Sequence, residues 1–158
     1  HHFRPARRAL RRRPAGLSDR SRLLLHASTV ALEGRALLIL GPSGSGKSSV
    51  ALQLMALGCT LVSDDQTEAV ARDGRLWASA PARIKGRIEA RGIGLLGAET
   101  VDTALVVLAV DMSRTEEHRL PPERTIEIAG ISVPCLHKVE GGHFVAGLLQ
   151  YLKSVRTA

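Results

Sequence analysis

Aromatic residues are scarce in this sequence: one tryptophan, one tyrosine and two phenylalanines make up 3% of the chain. A core without rings has to be built from Leu, Val, Ile and Ala. A surface without rings has little to stack on nucleic-acid bases. Cysteine is as rare. Cys59 and Cys135 alone, in 158 residues, do not make a disulfide framework, and both are expected to be reduced and partly buried. No segment reaches the ~18 uninterrupted apolar residues of a membrane span. No apolar stretch follows the N-terminal arginines as a secretory signal requires. These absences predict a cytoplasmic protein with neither a membrane nor a nucleic acid as partner.

What is present is ordinary in bulk: 44% apolar and 23% charged residues, in a length that fits one domain. The net charge of +7 first suggests a polyanionic partner. Six of those charges are Arg4, Arg7, Arg8, Arg11, Arg12 and Arg13, so the body is near neutral and the basicity belongs to a tail. Residues 1–16, with Pro5, Pro14 and Gly16 among the arginines, read as a flexible basic tail, and 17–158 as the domain. The chain opens on His1-His2 without a methionine, which suits a fragment, a processed product or a tag remnant; both are set aside from any metal argument.

From Leu23 the pattern is one of short strands. Residues 23–25, 29–32 and 36–40 are predicted strands, the last a continuous apolar run suited to burial on both faces. A helix is expected over 48–57, with Val50, Leu54 and Leu57 on one stripe and Gly58 ending it. A strand over 60–62 follows. Segments 66–71 and 75–78 flank Asp73-Gly74, a strong hairpin signal. Residues 84–96 read as strand, turn and strand, and 104–110 as a second fully apolar strand. The polar stretch 112–124, with Pro121-Pro122, reads as loop. A hairpin is expected around Ala129-Gly130, and a helix over 144–155 with Val145, Leu148, Leu149 and Leu152 at helical spacing.

Between the strand at 36–40 and the first helix stands Gly41-Pro42-Ser43-Gly44-Ser45-Gly46-Lys47-Ser48, which fits G-x-x-x-x-G-K-[ST] at every position. Glycines let successive backbone N–H groups turn inward on an anion, and the helix that follows points its positive end at the same place. Lys47 is placed to reach the β and γ phosphates of a nucleoside triphosphate, and the Ser48 hydroxyl to meet magnesium. Ser49 closes the predicted nucleotide-binding segment. Phosphoryl chemistry also needs a carboxylate. Asp111 ends the apolar strand in the manner of a Walker B acid. Asp64-Asp65 ends the strand after the P-loop helix, where mutual repulsion of adjacent acids would raise one pKa toward general-base use. The residue pattern alone leaves both open.

The combination resembles a known family. The P-loop, Ala51-Leu52, Gly58 and Leu61-Val62-Ser63-Asp64-Asp65, together with Glu89-Ala90-Arg91-Gly92-Ile93-Gly94 as an E-x-R-G-x-G signature, resembles the HPr kinase/phosphorylase family. Pro81 and Ile84-Lys85-Gly86 precede that signature at the family's spacing, and the likeness runs from about residue 17 to 150. It implies an α/β fold with a P-loop, a nucleotide site like that of phosphoenolpyruvate carboxykinase, and a strand-rich mixed sheet. It implies a hexameric, ATP- and Mg2+-dependent serine kinase acting on HPr, the phosphocarrier of the sugar phosphotransferase system. Asp65, with Asp64 beside it, would be the base. Ser48, Glu89 and Asp65 would hold magnesium, Lys47 would stabilise the transferring phosphoryl group, and His26 would lie near the acidic pair. Arg119 resembles the family's arginine on a mobile loop.

Three departures stand out. Pro42 and Ser49 replace a usual Asp and Glu. The family's P-V-R-P-G-R loop should follow residues 131–133, where this chain reads Pro134-Cys135-Leu136-His137-Lys138 without the arginines. That loop serves dephosphorylation, so weak or absent phosphorylase activity is expected. A kinase for another protein or a small molecule, and a nucleotide sensor without catalysis, are the alternative readings.

Overall fold

A computed structural model describes residues 21–154. The arginine tail lies outside the described residues. Eleven strands and two helices are described: β1 Arg22–Leu25, β2 Ala27–Leu32, β3 Arg35–Leu40, α1 Lys47–Ala56, β4 Thr60–Ser63, β5 Thr67–Arg72, β6 Arg75–Ser79, β7 Arg87–Ala90, β8 Gly94–Gly97, β9 Ala104–Thr115, β10 Thr125–Ile128, β11 Ile131–Lys138 and α2 Phe144–Lys153. Nine strands form one mixed sheet in the order β1-β5-β6-β9-β3-β2-β4, with the β10–β11 hairpin joined through β11 to β9. β7 and β8 make a separate hairpin.

β3 is the inner strand that the apolar run predicts, lying parallel to β9 and antiparallel to β2. Its Leu37 and Ile39 belong to one cluster, with Val50, Ala51 and Leu54 of α1 and Leu148 and Leu152 of α2. Ala36 and Leu38 face a second cluster with Val62, Ala69, Leu76 and Ala78. Alternate residues of one strand thus serve two cores. The sheet folds over on the second face. β2 and β5 are not neighbours in the strand order, yet the buried Thr29 and Thr67 hydroxyls lie 2.8 Å apart.

The expected hairpins are present. Asp73 and Gly74 both take positive φ, 56° and 74°, as a tight turn between β5 and β6 requires. Four details differ from the sequence reading. The buried stripe of α1 is Lys47, Val50, Ala51 and Leu54, while Leu57 lies past the helix and is exposed. β9 runs on to Thr115, through residues expected to be loop, because β11 lies parallel to it and pairs Lys138 with Thr115. β11 likewise continues through Pro134 to Lys138, so the segment in the place of the family's arginine loop is strand. Residues 82–84 form a single 3-10 turn before β7. Cys59 and Cys135 are free and buried, and burial pushes both thiols up in pKa.

Candidate active site

A cleft of about 370 Å³ opens between the N-terminus of α1 and the β7–β8 hairpin. The P-loop contributes Ser43, Gly44, Gly46, Lys47, Ser48 and Ser49 to it, while Asp65, Glu89 and Arg91 face them. Leu52 and Ile93 supply apolar wall.

The local sequence explains the loop's shape. A Cβ added at Gly41 would stand 2.6 Å from Ser45 Oγ and 3.1 Å from Met112 Cβ, so a side chain there would force its neighbours to shift. Gly46 precedes the helix at φ 97°, in the left-handed region. Among the described residues no side chain caps α1, which leaves its first-turn N–H groups directed at the cleft without a side-chain partner.

Lys47 is almost wholly buried, its side chain 4% exposed. Its ammonium donates to the Pro42 carbonyl at 3.1 Å and stands 3.8 Å from Asp65 Oδ1. Among the described residues, one of its three N–H donors is thus used in a hydrogen bond. Ser45 Oγ is buried without a hydrogen-bond partner among the described residues. A buried cation with spare donors and an uncapped helix end fit a polyphosphate, whereas Gly41, Pro42 and Ser45, also expected to bind the nucleotide, do not line the cleft.

The two adjacent acids do different work. Asp64 is buried, and its Oδ1 accepts from Ser28 Oγ at 2.7 Å and Ser48 Oγ at 2.6 Å. Its Oδ2 accepts the Glu89 backbone N–H at 3.0 Å. One carboxylate therefore ties β2, α1 and β7 to the end of β4. Asp65 is 64% exposed in its side chain and faces Lys47. Its φ of 69° is rare for a residue with a side chain. Magnesium binds through few protein oxygens and keeps phosphate and water for the rest. The oxygens of Ser48, Glu89 and the acidic pair suit that chemistry, although no group of three His, Cys, Asp or Glu is arranged for a metal among the described residues.

Asp111 is separated from this site by strand alternation. It pairs with Leu40, one residue before the P-loop, but Val110 and Met112 face α1, so Asp111 points to the other side of the sheet. There Ser113 donates to it through its amide and hydroxyl, at 2.9 and 2.6 Å. Burial raises its pKa, but those two bonds, with His137 and Arg114 nearby, outweigh it and hold the carboxyl below its ordinary value. His26 flanks the site through its backbone. Its carbonyl accepts the Gly41 N–H at 3.4 Å, and the next residue, Ala27, donates to the Asp65 carbonyl at 3.0 Å. Its exposed side chain does not line the cleft. Nor does that of Arg119, which sits exposed in the segment between β9 and β10. That segment is fastened at Glu116, which binds Arg124 and His118. Ser28, Leu52, Arg91 and Ile93 are site residues that the sequence reading gave no role. Two adjacent hydroxyl residues, Ser28 and Thr29, in the otherwise apolar run of β2 are the available signal, and they do not tell which of the two faces the site.

The family description that matches this sequence is HPr Serine kinase C-terminal domain, over residues 18–137. The chain belongs to that family. Curated HPr kinase/phosphorylases of Streptococcus pneumoniae, among them those of strains Hungary19A-6 and R6, are 32% identical to it over 126 residues. The match takes in 72% of this chain, which spans only 40% of the length of those relatives. Among solved structures, the Hpr(Ser) kinase/phosphatase from Coxiella burnetii superposes with a TM-score of 0.68 at 25% identity, covering 83% of this chain and 88% of that one. The P-loop, strand-rich mixed α/β architecture is therefore a fold this chain shares with that enzyme. No helix among the described residues is long and apolar enough to cross a membrane.

Proposed function

We propose that this domain is an ATP-dependent protein serine kinase whose acceptor is HPr or a similar small phosphocarrier, working in the cytoplasm as a homo-oligomer, with a hexamer as the expected form. The observation that carries the reading is the exposed Asp65 carboxylate set 3.8 Å from the buried P-loop ammonium of Lys47, at the mouth of the cleft. Such a pair can hold phosphate charge on one side and take a hydroxyl proton on the other.

In this mechanism the acceptor serine Oγ attacks the γ-phosphorus of ATP. The new O–P bond forms as the bond to the bridging oxygen breaks, and ADP leaves with the electron pair. Asp65 receives the serine proton. Lys47 and the first-turn amides of α1 neutralise charge on the transferring group. Asp64 fixes the Ser48 hydroxyl and the Glu89 backbone, and so sets the distance between the P-loop and the β7–β8 hairpin. Magnesium, held by Ser48, Glu89 and Asp65, would supply further charge neutralisation across the phosphates. The side chains of His26 and Arg119 are proposed to act from outside the cleft lining, His26 beside Asp65 and Arg119 on the incoming acceptor. With strand in place of an arginine-bearing loop at 134–138, phosphorylase activity is proposed to be weak or lost.

The test is incubation with HPr, magnesium and γ-labelled ATP. Labelled phosphoserine in wild type, absent in Asp65→Asn, is the expected result. Equal labelling in both proteins, or none with any acceptor despite nucleotide binding, would overturn the assignment.

A further inference from the structure

We propose that Ser28 is the positioning residue for Asp65, an inference that rests on the kinase reading for its catalytic meaning but not for its geometry. Ser28 is wholly buried in β2, opposite Ile39 and on the same side of the sheet as α1. Its hydroxyl has a donor and an acceptor role, and both are used on the acidic pair. It donates to Asp64 Oδ1 at 2.7 Å and accepts the Asp65 backbone N–H at 3.1 Å. The Asp65 carbonyl is held from the same strand, by the Ala27 N–H at 3.0 Å. Both backbone polar groups of Asp65 are thus fastened to consecutive residues of β2.

That fastening has a specific consequence. Asp65 sits at φ 69°, a left-handed conformation that Asp tolerates better than most residues but that its surroundings must still favour. Among the described residues, Ser28 Oγ is the only side chain that holds the Asp65 amide. It also anchors the Asp64 carboxylate, which in turn holds Ser48. The direction in which the Asp65 side chain leaves the backbone, and hence its 3.8 Å separation from Lys47, depends on this buried hydroxyl together with the Ala27 N–H. The P-loop amides and the Lys47 ammonium make no hydrogen bond to Ser28, and Ser48 keeps Asp64 Oδ1 as its acceptor without it, so loss of Ser28 should damage phosphoryl transfer more than nucleotide binding.

The experiment compares wild type with Ser28→Ala and Ser28→Thr by two readouts. The first is hydrogen exchange at the Asp65 amide, followed by NMR in the nucleotide-free protein. The second is kcat for phosphoryl transfer beside the affinity for MgATP. We expect the Asp65 amide of Ser28→Ala to exchange at least ~10-fold faster, and kcat to fall ~10- to 100-fold, with MgATP affinity within ~3-fold of wild type. Ser28→Thr, which keeps the hydroxyl, should restore both. An Asp65 amide as protected in Ser28→Ala as in wild type would overturn the inference, as would equal losses in kcat and nucleotide affinity. Should Ser28→Ala fail to fold, Ser28→Cys is nearly isosteric with a poor hydrogen-bonding group, and the same exchange comparison applies. If wild type transfers no phosphoryl group, the kinase reading fails on its own account, and exchange at Asp65 alone decides the role of Ser28.

Discussion

Lys47 Nζ and Asp65 Oδ1 face each other at 3.8 Å, the first from a side chain 4% exposed, the second from one 64% exposed. The asymmetry means that the cation pays most of the desolvation cost while the acid remains available to a partner. Lys47 contributes little to folding, since its charge is buried with one hydrogen bond and one distant counter-ion. Lys47→Met keeps the apolar stem and removes the charge. Its thermal midpoint should equal or exceed that of wild type, while kcat/KM for phosphoryl transfer drops about 10²- to 10³-fold. Calorimetry and a transfer assay on the same preparation check the pair of outcomes.

The acidic residues separate by substitution. Asp65→Asn should fold within about 0.5 kcal/mol of wild type, because Asn tolerates positive φ and the site is exposed. Its transfer rate should fall about 10²- to 10⁴-fold with nucleotide affinity little changed. Asp64→Asn must set an amide against one of three donors already in place from Ser28, Ser48 and the Glu89 backbone. It should cost about 2–3 kcal/mol of stability. Urea unfolding distinguishes them, and equal destabilisation by the two changes would contradict the division of roles.

The residues of the P-loop and its flanking strand and helix are legible because local chemistry fixes them: glycines for the turn, an apolar run for an inner strand, a stripe for α1. The acids are harder. Asp111 and Asp64-Asp65 both end apolar strands, and sequence alone does not choose. The choice is made by side-chain alternation on β9, which turns Met112 toward α1 and Asp111 away from it. The division within the acidic pair depends on Ser28, 36 residues earlier than Asp64, and no local pattern reports such a contact. The extension of β9 to Thr115 has the same origin. Its polar end is strand because β11 supplies a parallel neighbour from far along the chain.

Gly41 offers a test of the loop's tightness. Alanine there would drive its Cβ to 2.6 Å from Ser45 Oγ and 3.1 Å from Met112 Cβ. The serine hydroxyl can swing aside, but Met112 is buried in the core beside the paired Asp111, so the loop must shift. Gly41→Ala should lower stability by about 1–3 kcal/mol and weaken MgATP binding at least ~10-fold. Thermal unfolding and titration calorimetry read the two effects. Gly44, where an added Cβ meets nothing within 4 Å, is the control for space, although its φ of 84° still imposes strain.

Glu116 makes stability depend on acid. Its carboxylate is 7% exposed. Burial raises its pKa, but the Arg124 guanidinium, the His118 amide and the His118 ring overcome that and lower it from 4.5 to about 2. A carboxyl whose folded pKa is depressed binds protons more tightly in the unfolded chain. Its contribution is complete above the unfolded value and is lost as pH falls toward the folded one. Wild type should therefore lose stability between about pH 4.5 and pH 2 with a slope that Glu116→Gln partly removes. Above pH 5 the variant should be less stable than wild type by a nearly constant amount, and the two curves should converge near pH 2. Urea midpoints measured across pH 2–7 show this. A gap between the two proteins that stays the same at pH 2 would mean that Glu116 acts through packing, not through its charge on Arg124 and His118.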